Sequence, residues 1–99
     1  MDALSIATSG IQSAQRRLAG SAHNVANLTT PGFRPLRTLQ SSQAGGGSTA
    51  ILRQTDEPEP VQLSHEALEQ TRARMQAQAM LGVVHVVDST RGCLIDILA

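Results

Sequence analysis

Along the first third of the chain, apolar or small residues recur in alternating steps of three and four: Leu4, Ala7, Ile11, Ala14, Leu18, Ser21, Val25 and Leu28. This is a period of about 3.5 residues, the spacing that keeps one seam of an α-helix turned towards a neighbouring helix. It predicts a helix over about residues 3–28, roughly 39 Å long at a rise of about 1.5 Å per residue. Asp2 is placed to cap that helix or to sit favourably at the positive end of its dipole. Gly10 and Gly20 lie within the predicted helix, at a cost of about 1 kcal/mol each relative to Ala in a helix interior. With Ser13 and Ser21 they also leave room for a close neighbour, and the pattern alone does not choose between a weakened helix and a tightly packed one.

Backbone chemistry sets the end of this helix. Thr30 precedes Pro31 and is therefore pushed out of the α region. Pro31 and Gly32 then suit the two central positions of a type II turn, with Gly32 supplying the positive φ. Asn24 and Asn27, three residues apart, lie on the same side of the last turn, where their amides can bond the open carbonyls of the helix end. Helix termination accounts for most of the motif. A rigid corner with Phe33 as its apolar plug would in addition set how neighbouring subunits dock.

A second stripe runs through Leu68, Met75, Ala79, Gly82, Val86, Ser89, Cys93 and Ile97, with another row at Met80, Val83, Val87, Leu94 and Leu98. Ser64 is a fitting N-cap, Glu66 sits in the first turn, and Leu63 with Leu68 can form a hydrophobic staple. The run Val83-Val84-His85-Val86-Val87 is β-branched and on its own reads as a strand. The apolar spacing continues through it and no turn signal closes it, so a helix is predicted.

Between the two stripes the chain reads as linker. Ser41 to Ser48 is rich in Gly and Ser, Thr49 to Gln54 offers at most one short strand or hairpin arm, and Asp56-Glu57-Pro58-Glu59-Pro60 is expected to be extended and solvated. The expected fold class is all-α: two long amphipathic helices pairing as an antiparallel, coiled-coil-like hairpin, joined by a flexible Gly/Ser/Pro-rich linker. A parallel or intermolecular pairing is left open. The expected division is 1–34 for the N-terminal heptad helix and its turn, 35–62 for the linker, and 63–99 for the C-terminal helix.

Composition narrows the function. With 99 residues, 40% of them hydrophobic and Phe33 the one aromatic, no large core is available. Cys93 is the only cysteine, so no intramolecular disulfide can staple the chain, and partners remain as the route to stability. Eight Arg balance eight acidic residues, with no Lys, for a net charge of zero. The Arg residues are scattered and no aromatic platform accompanies them, which argues against nucleic acid. The Arg16-Arg17 pair reads as a solvated face or an ion pair between subunits rather than a phosphate clamp.

Chemistry is not evident in the sequence. The Gly-rich run cannot be a P-loop without Lys. His23, His65 and His85 are too dispersed for a local metal motif, and Cys93 has no ligand at metal spacing. Cys93 reads as a small buried residue on an apolar stripe, and Glu66 with Glu69 as a solvated first turn. No catalytic group, cofactor, metal or small-molecule substrate is predicted. No run reaches the roughly 18–20 apolar residues of a membrane span, and Met1-Asp2 opens neither a basic nor an apolar leader region. Those residues alone would place the chain in the cytoplasm.

One resemblance changes that location. Ser9-Gly10-Ile11, Arg17-Leu18 and the run Asn24, Asn27, Thr30, Pro31, Gly32, Phe33 resemble the N-terminal signature of the bacterial flagellar rod and hook family, over about the first third of the chain. The tail Arg91-Gly92-Cys93-Leu94-Ile95-Asp96-Ile97-Leu98 is more loosely similar to that family's closing Leu-Gly-x-Leu-Leu-Asp/Asn pattern, and Gln76-Ala77-Gln78 to its Ala-Gln step. The family's mid-helix aromatic-x-Ala-Asn stretch is replaced here by Ala77-Gln78-Ala79-Met80. The resemblance implies a short, proximal-rod-like structural subunit of the flagellar basal body that self-assembles through its terminal helices. Its partners would be itself, other rod and hook subunits and the flagellar type III export apparatus, and it would reach the periplasmic rod without a cleaved signal peptide. It also favours close helix approach as the role of Gly10, Ser13, Gly20 and Ser21. A second reading is a cytoplasmic adaptor or regulator derived from a rod protein, binding partners through the same helical hairpin.

Overall fold

A computed structural model describes residues 2–98. Four elements follow one another: α1 (Ala3–Ala26), β1 (Leu36–Ser42), β2 (Ser48–Gln54) and α2 (Leu63–Leu98). The all-α expectation with a flexible linker is therefore corrected, because the middle of the chain folds into an antiparallel β-hairpin. The physical reason lies in residues that read as flexible. Gly46 and Gly47 adopt φ of 96° and 85°, which closes the loop between the strands. Gln43 N–H donates to the Gly47 carbonyl at 3.0 Å, and Gly46 N–H to the Gln43 carbonyl at 3.0 Å. Register then pairs Thr38 with Leu52, Leu39 with Ile51 and Gln40 with Ala50. The acidic Pro-rich segment is tied down as well: Glu59 N–H donates to the Phe33 carbonyl at 3.2 Å, and Arg37 reaches the Glu59 carboxylate at 3.2 Å.

α1 is the central element, with the hairpin on one flank and α2 on another. The helices run antiparallel, as shown by Asp2 near Arg91 (3.9 Å), Arg17 on Glu69 (2.8 Å) and Ser21 against Glu66. The molecule is a slab of 64 × 25 × 14 Å. Its interior is made of small and polar residues: Ala7, Gly10, Ser13, Ala14, Gly20, Ser21 and Asn24 are buried on α1, Ala50 on β2, and Glu66 and Ala73 on α2. Gly10 and Gly20 have separate neighbours. A Cβ on Gly10 would lie 2.8 Å from Met80 of α2, and one on Gly20 2.7 Å from Leu52 of β2. Close approach is thus the role these glycines fill.

Helix starts follow local chemistry. Asp2 accepts the Ser5 N–H at 2.8 Å as the N-cap of α1. α2 begins at Leu63, one residue before the expected cap Ser64, and its first bond runs from Glu66 N–H to the Gln62 carbonyl at 3.0 Å. Residues 83–87 lie inside α2.

Two outcomes follow. Gly10→Leu should force α1 and α2 apart and cost about 1–3 kcal/mol, as overpacking typically does. Gly82→Ala, where the added methyl meets open space, should instead stabilise α2 by up to about 1 kcal/mol. Thermal unfolding followed by circular dichroism separates the two, and a Gly10→Leu chain as stable as the native one would sink the close-packing account. Separately, the Ser5 N–H bond holds the Asp2 carboxyl below the ordinary carboxylate range. A lowered folded-state pKa gives stability that is present above the unfolded value and lost as pH falls through the folded one. The stability gap between the native chain and Asp2→Ala should therefore be constant above about pH 5 and shrink below about pH 4, as measured by denaturant unfolding across that range.

Candidate functional site

The Asn24–Phe33 corner is where the three packed elements meet. Asn24 is 1% exposed although it is polar. Its Nδ2 donates to the Leu36 carbonyl at 2.9 Å and to Glu66 Oε1 at 3.0 Å, while its Oδ1 accepts the Leu36 N–H at 2.8 Å. One amide thus mimics a strand edge for the first residue of β1 and grips α2 at the same time. Glu66, only 2% exposed, is not the solvated first-turn carboxylate expected from its position. Around it, Ser21 Oγ donates to the Glu66 carbonyl at 3.1 Å, Gln70 Nε2 donates to Ser21 Oγ at 3.2 Å, and Arg37 stands 3.9 Å from Oε1.

Asn27 does the terminating work. It is the C-cap of α1, with its N–H on the Asn24 carbonyl, its Nδ2 on the His23 carbonyl at 2.9 Å and its Oδ1 accepting the Thr30 hydroxyl at 3.1 Å. The turn follows, with Phe33 N–H donating to the Thr30 carbonyl at 3.4 Å across Pro31 and Gly32, and Gly32 at φ 68°. A Cβ on Gly32 would meet nothing, so dihedral angle and not space requires glycine there. Phe33 is half-buried, its ring centroid 5.5 Å from that of His23.

The Arg pair has an internal use. Arg16 donates to the Ala50 carbonyl at 2.6 Å, and Arg17 bridges Glu69 of α2 and Gln40 of β1. Both act as struts within the chain, and Arg16 is also exposed.

The predicted row on α1 is partly in the helix–helix contact, whereas the first predicted row on α2 is not. On α1 the small members Ala7, Ala14 and Ser21 are buried, Leu4 and Ile11 are half-buried, and Leu18, Val25 and Leu28 are exposed at the edge. On α2 the whole predicted row is outside: Leu68, Met75 (62% exposed), Ala79, Val86, Cys93 and Ile97 (74% exposed). The inner face of α2 is instead Glu66, Glu69, Gln70, Ala73, Gln76, Ala77, Met80, Val84 and Val87, all buried or half-buried. Nine residues separate Glu66 from Met75, about two and a half turns, which puts them on opposite faces. Cys93, expected on a buried stripe, is exposed. The inner face was readable in the polar pattern: Glu66, Gln70, Ala73 and Ala77 repeat the step of Gly10, Ala14, Arg17 and Ser21 on α1.

Among the described residues no cluster of His, Cys, Asp and Glu could hold a metal ion, and no helix is long and apolar enough to cross a membrane. An open groove of about 590 Å³ lies between the helices, floored by Ala14, Ala73 and Ala77 and walled by Leu18 and Leu81. It carries no convergent titratable groups of the kind that acid–base chemistry needs. The arrangement can hold helices; its outer rows present apolar surface. No protein-family model and no curated protein matches the chain.

Asn24→Ala would leave the Leu36 N–H without a partner and the Leu36 carbonyl and Glu66 carboxylate with Arg37 alone, at an expected cost of about 1–3 kcal/mol. Asn27→Ala, whose bonds are exposed, should cost about 1 kcal/mol or less. Urea denaturation compares the pair, and equal losses would show that Asn24 is no more than a helix-end residue.

Proposed function

We propose that this chain is a structural subunit whose function is assembly, of the bacterial flagellar rod and hook kind. The observation that carries the reading is an inversion of polarity: the fully buried residues are small or polar, while the first predicted apolar row of α2 faces outwards. Leu68, Met75, Leu81, Val86, Leu94, Ile95, Ile97 and Leu98 are all exposed, as are Leu39 and Ile51 on the outer side of the hairpin. Large apolar residues exposed in this number along one helix support an interaction face. Family membership rests on the residues Ser9-Gly10-Ile11, Arg17-Leu18 and Asn24 to Phe33. Their corner joins α1, β1 and α2, which suits a subunit that must present helices at a fixed angle. On this reading the partners are other rod and hook subunits and further copies of itself. Delivery is by the flagellar type III export apparatus, without a cleaved signal peptide, into the periplasmic part of the basal body. No reaction, cofactor or nucleic acid enters the proposal.

The test is mass spectrometry of purified hook–basal bodies from the source cell. Stoichiometric recovery of this chain, with a peptide at or next to Met1, is the expected outcome. Absence from the particle, with the chain abundant in the cytosol, would replace it with the adaptor reading.

A further inference from the structure

The groove between α1 and α2 and the outer row of α2 differ in shape and charge in a way that lets one fit the other. The groove floor is alanine (Ala14, Ala73, Ala77), which leaves space for large side chains, and Arg74 stands at its rim. Arg74 has no ion-pair partner among the described residues, whereas the acidic side chains of the same half, Glu66 and Glu69, are engaged by Asn24 and Arg17. The far half of α2 is the complement. Val86, Cys93 and Ile97 form an exposed ridge, and Asp96 beside them is exposed and likewise without an ion-pair partner among the described residues. Asp96 lies 22 residues beyond Arg74 on one continuous helix, about 33 Å along its axis. The two surfaces therefore cannot meet within one molecule, and an occupant of the groove with the matching ridge and charge is a second copy of this chain.

We infer that the groove takes the far half of α2 from a neighbouring copy lying parallel and staggered by about 22 residues, with Asp96 of one copy on Arg74 of the next. The inference rests on the assembly reading above and gives it a geometry. Ridge and groove are different patches, so the contact is heterologous, and a parallel heterologous contact leaves one groove and one ridge free for further copies. The antiparallel alternative would close as a dimer with both patches used, which an axial subunit could not extend.

The native chain offers its own probe, because Cys93 is its only cysteine and is exposed on the ridge. The parallel stagger sets Cys93 opposite position 71 of the neighbour, and the antiparallel pairing sets it opposite position 77. Under mild oxidation Thr71→Cys should yield a ladder of cross-linked species, and Ala77→Cys should not. Arg74→Glu and Asp96→Arg should each raise the concentration needed for association by about tenfold or more, and the double swap should restore it. Sedimentation velocity reads the concentrations and circular dichroism confirms that each variant is folded. A cross-linked dimer from Ala77→Cys alone, or a double swap no better than the single variants, overturns the inference while leaving assembly intact. A native chain that stays monomeric at every concentration tested overturns both.

Discussion

The structure depends on one buried amide. Asn24 offers Leu36 a donor and an acceptor together, the two bonds a neighbouring strand would have made, and spends its remaining donor on Glu66. α1, β1 and α2 each lose an anchoring point without it. The net worth of any one such bond is modest, about 1 kcal/mol, but leaving a buried partner unpaired costs more than the bond contributes. That asymmetry makes the corner specific. No apolar side chain of similar size could satisfy Leu36, and a longer amide could not reach both Leu36 and Glu66 from the same helical position without displacing β1.

A polar interior has a consequence for the exterior. α1 and α2 meet through Gly10, Ser21, Gln70, Ala73 and Gln76, with the Met80 side chain packed against Gly10. The large aliphatic residues are displaced to the edges of α1 and the outer face of α2. With Ala7, Ala14, Ala50 and Ala73 as the buried hydrophobic residues, the chain buries little apolar area of its own. Partly compensating, the contact is rich in directed bonds, with Arg17, Arg16 and Gln76 all tying α1 to its neighbours. Even these are incompletely satisfied: Arg17 Nε is buried without a hydrogen-bond partner. Directionality fixes the angle between elements; apolar area, held in reserve on the outside, remains for a neighbour.

Much of this was legible in the residues, and the failures have physical causes. Both helices, the turn through Pro31 and Gly32, and the cap at Asp2 follow from local rules that tertiary context did not override. Of the hairpin, the arm at Thr49 to Gln54 was legible but its partner Leu36–Ser42 was not, because Gly45-Gly46-Gly47 is read equally well as a flexible tether or as the positive-φ hinge of a tight loop and the first strand is half-polar. The inner face of α2 was missed because a search for leucines at heptad spacing assumes that helices meet through leucines. Here a stripe of Glu, Gln and Ala makes the contact over the first half of α2, and Met80 and Val87 of the second predicted row join it with Val84 further on. Glu66 was misplaced for the same reason, since a carboxylate in a first helical turn is ordinarily solvated, and its partner lies 42 residues earlier.

The same misreading makes sense of the seam. A heptad row of apolar residues reports that a partner helix exists, not which molecule supplies it. On α1 the intramolecular face and the predicted row share Ala7, Ala14 and Ser21, so one stripe serves both. On α2 the two have separated to opposite sides, and the row survives as the outward surface. A single helix with a polar face towards its own chain and an apolar face away from it is arranged for two neighbours at once, one covalently connected and one not. The constraint at Asn24 settles the first contact, and with it the direction in which the second face points.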